Sequence, residues 1–195
     1  MDMNSAPSRT DRVTRAAVEV LGLKGAAGLT HRAVDRHAGL PEGSTSNLFR
    51  TRDALVGAVC RFLTEHDLTT LAKAESRFDA VPITHADAAA ELARIITRWS
   101  DQEAVLTAAR LEIFLIARRD PRLAAQLDQV RRNFRDRAGE WLERLEPGAG
   151  RHAAFLMAVI EGLTANQLLH ASNRMGGEEI TSSLESTLRS VMTNA

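Results

Sequence analysis

Gly39 and Pro41 constrain the fold of this chain most, because they interrupt a stretch, Leu29 to Leu55, that is otherwise helical in character: LTHRAVDRHAGLPEGSTSNLFRTRDAL. Thr30 is placed to cap a helix whose inward positions are Ala33, Val34 and Ala38, leaving His31, Arg32, Asp35 and Arg36 for solvent or a partner. Gly39 ends that helix by taking the left-handed conformation other residues resist, and Pro41 suits the first turn of the next one. From Glu42 to Leu48 the chain is small and polar, with no long apolar side chain before Leu48 and Phe49. Such a helix forms poorly alone. It does suit a DNA major groove, roughly 12 Å wide, where hydroxyl and amide groups meet base edges and phosphates. Thr51 then caps a long helix that starts at Arg52, poorly placed for the helix dipole but well placed for a phosphate. Two short helices, a glycine turn and a third helix with a basic start form the layout of a helix-turn-helix reader. The same pattern also occurs in all-α proteins that never touch DNA.

Upstream, Val13, Ala16, Ala17, Val20 and Leu21 share one helical face that ends at Gly25. With this helix in place, the order Gly28-Leu29-Thr30, Val34, Ala38-Gly39-Leu40-Pro41, Gly43, Phe49, Arg52 and Leu55 resembles the N-terminal domain of the TetR/AcrR family of bacterial one-component transcriptional regulators. The resemblance covers about the first quarter of the chain. It implies an all-α protein, with a three-helix DNA-binding domain at residues 1–55 and a helical effector-binding and dimerisation domain at 56–195. Two positions depart from the family: Ser46 stands where an aromatic is frequent, and Leu48 where an aromatic or histidine packs on the DNA backbone. The chain has no tyrosine.

A formal net charge of zero argues at first against nucleic acid, since phosphate contacts supply much of its affinity. The distribution reverses that argument. Met1 to Arg52 carries eight basic against five acidic residues, and the rest seventeen against twenty, so a head of +3 precedes a body of −3. Hydrophobic residues at 44% are enough for a real core. The longest apolar runs, Ile113 to Ala117 and Ala153 to Ile160, fall far short of the roughly 20 residues a membrane span needs. Met1 to Thr10 lacks the apolar segment of a signal peptide, and one cysteine cannot form an internal disulfide, so a cytoplasmic protein is expected. Cys60 lies in a periodic helix and reads as a small buried hydrophobe.

Beyond Leu55 the chain reads as helices only, without sustained alternation, so no sheet is expected. Leu55, Val59, Phe62, Leu63 and His66 stripe the first long helix, and Pro82 breaks the chain. Thr84 and Asp87 resemble a capping pair for Ala88, Leu92, Ile95, Ile96 and Trp99, while Asp101 is a candidate cap for the next helix. Asp120-Pro121 opens a helix closed by Pro147-Gly148. A further helix spans His152 to about Ser172, and Gly176-Gly177 separates it from a last one with Ile180, Leu184, Leu188 and Val191.

The groove-side candidates are Glu42, Gly43, Ser44, Ser46 and Asn47, with Thr30, His31, Arg32 and Arg52 on phosphates. The last two helices carry apolar residues over a wider arc than one contact needs, which makes Phe155, Val159, Leu163, Leu184 and Leu188 candidates for a homodimer seam. The alternative is that both helices simply close the monomer's core. The resemblance implies a four-helix bundle between subunits, and a two-fold dimer matches a palindromic operator. Glu112 has only apolar helical neighbours, and a lone buried charge is costly. It either pairs with Arg110, Arg98 or another arginine, or serves a ligand pocket with Trp99, Leu111, Phe114, Phe134 and Met157. Asn166 and His170 are ligand contacts or polar groups at the seam. Apolar walls with few polar groups would suit a small hydrophobic effector, and the resemblance implies repression relieved by that ligand.

Two other classes were weighed. His66-Asp67, with His31, His37 and His85 elsewhere, is similar to the metal-binding pair of HD-type hydrolases, but no Glu-x-x-His pair or glycine-rich phosphate loop accompanies it. No enzyme, metal or cofactor is expected. The other is a helical ligand-binding protein with a degenerate reading head.

Overall fold

The computed structural model describes residues 8–77 and 83–192, so Pro82 and most of the N-terminal segment lie outside the described residues. The described chain is helical, with no strand among its described residues: α1 (Arg9–Gly28), α2 (His31–His37), α3 (Ser44–Leu48), α4 (Arg52–Ser76), α5 (His85–Thr97), α6 (Ala104–Ala117), α7 (Pro121–Leu145), α8 (Ala153–Leu169) and α9 (Gly177–Met192). A π-helical turn, Arg98–Gln102, precedes α6, and short 3-10 turns precede and follow α8. Two compact units form, one from 1–67 with 105–126, the other from 68–104 with 127–195. The sequence boundary at 55 separates roles along the chain; the compact units divide elsewhere because the first part of α4 and most of α6 pack with the head.

In the first unit the expected face of α1 is buried, from Val13 to Leu21. Its helical conformation breaks at Gly25, whose φ of 67° is open to glycine, and resumes to Gly28. At Gly22 a side chain would collide with the Val105 carbonyl of α6, so a glycine there is what lets the two helices approach. Thr30 accepts the Ala33 N–H as the cap of α2, and Thr51 accepts the Ala54 N–H at the start of α4. Gly39 takes the left-handed turn at φ 63°. Leu29, Val34, Phe49, Leu55 and Val59 fill the space between these helices. Cys60 is buried as expected, and burial pushes its thiol up. Asp67 is held by the Arg110 guanidinium, with Nε at 2.8 Å from one carboxylate oxygen, so this half of the His66-Asp67 pair is engaged in an ion pair.

The core of the second unit is built chiefly by α5 on α9. Ala88, Ala89 and Ala93 are small enough to bring α5 close to Ile180, Leu184 and Leu188, with Ile96, Leu142 and Leu156 completing the cluster. Each large aliphatic side chain buried there contributes roughly 1.5–3 kcal/mol. Thr84 and Asp87 form the expected reciprocal cap of α5. Asp120 caps α7, accepting the Arg122 and Leu123 N–H groups. Asp101 is not a cap: it lies inside the π-helical turn and pairs with Arg174. Glu91, buried in this unit, is neutralised by Arg77 at 2.6 Å and by Arg94.

Candidate nucleic-acid interface

The reading head is held together by a residue the sequence had left to solvent. Asp35, on α2, is 3% exposed. Its carboxylate accepts the Gly43 N–H at 2.8 Å, the Thr45 N–H at 2.7 Å and the Thr45 hydroxyl at 2.5 Å. These bonds cap α3, whose own N-cap residue, Gly43, has no side chain to do so. Burial pushes the Asp35 carboxyl up, and the bonds from Thr45 and Gly43, with His31 nearby, outweigh it and hold the carboxyl below its ordinary value. The signal available in the sequence was an acid at an inward position of α2, next to Val34.

This lock decides which candidates face outward. Thr45 is fully buried, and so is Ser44, which donates to the Pro41 carbonyl at 2.6 Å and accepts from Arg9 at 2.7 Å. Ser44 was expected in the groove; the structure spends it on the turn instead, because α3 must anchor itself through its hydroxyls where it lacks apolar side chains. Ser46 is half-buried and donates to the Gly43 carbonyl at 3.0 Å. Asn47 and Leu48 are exposed, and Glu42 is exposed in a salt bridge of 2.9 Å with Arg32. His31 bonds the Phe49 carbonyl at 2.6 Å, tying α2 to the end of α3, and Thr30 serves as a cap. Arg52 donates one N–H to the Ala26 carbonyl at 2.8 Å from an exposed position, leaving the remaining guanidinium donors for a phosphate. Arg9, which no sequence pattern marked, braces Ser44.

The ligand candidates are not gathered into one site. Glu112 neither pairs with an arginine nor opens onto a pocket: its Oε2 accepts the Ala26 N–H at 2.9 Å, where the break at Gly25 frees that amide. Leu111 and Phe114 share the first unit with it, and Phe114 is exposed. In the second unit Trp99, Phe134 and Met157 are half-buried. Asn166 donates to the Asn173 carbonyl at 3.1 Å, and the His170 N–H closes the end of α8 on the Asn166 carbonyl, so both serve the turn after α8. A cleft of about 250 Å³ between the end of α4 and α7, lined by Glu75, Arg137, Glu140, Trp141 and Arg144 among others, includes none of the ligand candidates. Leu184 and Leu188, expected at a dimer seam, lie in the core of their own unit. Phe155 is exposed, and Val159 and Leu163 are half-buried.

Residues 84–193, more than half of the chain, match the family model described as Tetracyclin repressor-like, C-terminal domain. No curated protein matches the chain. Among solved structures, a transcriptional regulator from Rhodococcus sp. Rha1 is similar in fold, with a TM-score of 0.79 at 20% identity over 96% of this chain and 98% of its own. A member of the TetR family from Streptomyces coelicolor A3 is 29% identical, with a TM-score of 0.72 over 95% and 99%. Multidrug binding protein EbrR, complexed with imidazole, is 29% identical, with a TM-score of 0.68 over 96% of each chain. With an all-α body that matches the family model and a locked helix-turn-helix head in front of it, the chain belongs to the TetR family of DNA-binding transcriptional regulators.

Proposed function

We propose that this regulator is a cytoplasmic repressor that binds a palindromic operator as a homodimer and is released from it by a small hydrophobic ligand. The observation that carries the reading is the presentation of α3: the Asp35 lock turns Ser44 and Thr45 inward and leaves the Asn47 amide exposed, with Arg32, Arg50 and Arg52 exposed around it. An amide suits base edges, and arginines suit the phosphates that position it. A two-fold dimer presents two such heads to two half-sites. No described helix is long and apolar enough to cross a membrane.

The ligand half of the reading is supported by EbrR, solved with ethidium and, in another complex, with malachite green, at 28% identity in both. In this chain the proposed effector site belongs to the second unit, where Trp99, Phe134 and Met157 are half-buried. An effector that prefers the conformer with wrongly spaced heads weakens DNA binding, and DNA weakens effector binding by the same free energy.

Selection of random duplex DNA on the purified protein, followed by titration of the winner at several salt concentrations, tests this. An enriched palindrome whose affinity falls steeply with salt is expected. A folded dimer that enriches nothing would overturn the reading in favour of a ligand-binding protein with a degenerate head.

A further inference from the structure

The chemistry that α3 can offer to DNA is narrower than its sequence. Of its five residues, Ser44 and Thr45 are buried and their hydroxyl hydrogens are given to Pro41 and Asp35; the Ser46 hydroxyl hydrogen goes to Gly43. The helix therefore presents one carboxamide, Asn47, and beside it one isobutyl group, Leu48, which is 39% exposed. Leu48 follows Asn47 directly and precedes the buried Phe49 anchor, so it is fixed at the end of the reading helix with its side chain partly in solvent.

From this we infer that Leu48 is a specificity-determining residue that packs on the 5-methyl group of a thymine in each half-site. The inference rests on the DNA-binding reading above. In the major groove, guanine, cytosine and adenine edges present only donors and acceptors, and thymine alone adds a methyl group. An isobutyl group set against a polar edge would strip its water without replacing the hydrogen bond, which is unfavourable. Against a methyl it buries apolar surface on both sides. The neighbouring Asn47 amide matches the N6 and N7 edge of adenine, so the two adjacent side chains together favour a half-site with A·T pairs at its centre.

The test uses the full-length protein and its selected duplex, with thymines replaced one position at a time by deoxyuridine, which removes the methyl and keeps every hydrogen-bonding edge. One symmetry-related pair of thymines should be sensitive, losing about threefold in affinity per half-site and about tenfold when both are changed. The Leu48→Ala protein, checked for an unchanged thermal transition, should bind thymine and uracil duplexes equally, and selection on it should lose the preference at that position. If the duplex binds tightly and no thymine-to-uracil change matters, or if Leu48→Ala keeps the full methyl dependence, the assignment to Leu48 is wrong while the regulator reading stands. If no duplex is bound at all, the regulator reading itself fails.

Discussion

Glu112 on α6 accepts the backbone N–H of Ala26 at 2.9 Å, one residue after the point where α1 breaks at Gly25. The carbonyl of the same residue accepts from Arg52 at 2.8 Å. Both backbone groups of Ala26 are thus satisfied by charged side chains from other helices, and the break in α1 leaves neither group without a partner. Replacing Glu112 with alanine leaves the Ala26 amide to water or to nothing, at a cost of roughly 1–3 kcal/mol in unfolding free energy. Glu112→Gln keeps an acceptor oxygen and should recover most of the loss. Urea melts of the two variants decide it; equal stability of Glu112→Ala and the parent would show the bond to be unimportant.

Arg52 holds Ala26 with one N–H and is exposed otherwise. Arg52→Ala should weaken binding to all duplexes alike and lower the slope of log affinity against log salt by about one unit. Arg52→Lys keeps the charge, so the slope should be nearly restored, but lysine cannot fork between a carbonyl and a phosphate as arginine does, and some affinity should stay lost. Titrations at four or more salt concentrations separate slope from intercept. An unchanged slope in Arg52→Ala would remove Arg52 from the phosphate contacts.

Asp35 makes the head sensitive to acid in a definite direction. Its folded carboxyl lies below its ordinary value. The contribution to stability is therefore complete above the unfolded carboxylate range, near about 4, and is lost as pH falls through the folded value. Asp35→Asn cannot titrate, so the acid decline of head stability should be shallower in that variant. Asp35→Ala leaves the Gly43 and Thr45 amides unpaired and should cost roughly 2–3 kcal/mol. The double variant with Thr45→Val should cost less than the sum of the two single changes, because each removes the other's partner. Urea melts between neutral and acid pH measure all of this, and additive costs would argue against the Asp35–Thr45 pairing.

The features legible in the sequence were those set by residues three or four apart. Thr30, Thr51, Asp120 and the Thr84–Asp87 pair all cap the helices they were expected to cap. Gly39 turns left-handed where the pattern asked for it. Partners far along the chain were not legible. Glu112 finds an amide 86 positions away, and its apolar neighbours could say only that its carboxylate needed something. Asp35 looked like a solvent residue because acids usually are, yet its partners lie eight and ten residues on, across a turn whose geometry has to form first. The stripe on α9 was visible, but the same spacing serves a monomer core and a dimer seam alike; only burial by Ala88, Ala89 and their neighbours assigns Leu184 and Leu188 to the core.

That assignment sharpens what a dimer would use. Phe155 on α8 is 51% exposed, and along the same helix Val159 and Leu163 are half-buried, Gly162 faces open space and Leu169 is exposed. The Phe155 ring supports little of its own unit's core, so Phe155→Glu should leave the urea midpoint close to that of the parent. Placed in an apolar seam, the same carboxylates would be desolvated and would face each other across the two-fold axis, which a homodimer cannot accommodate. Sedimentation equilibrium should then show a monomer, and affinity for a palindrome should fall toward that of a single half-site. Leu184→Ala should do the opposite, lowering unfolding free energy by roughly 2–5 kcal/mol through the cavity it leaves, while any folded fraction remains a dimer. A Phe155→Glu protein that stays dimeric would place the seam on another face.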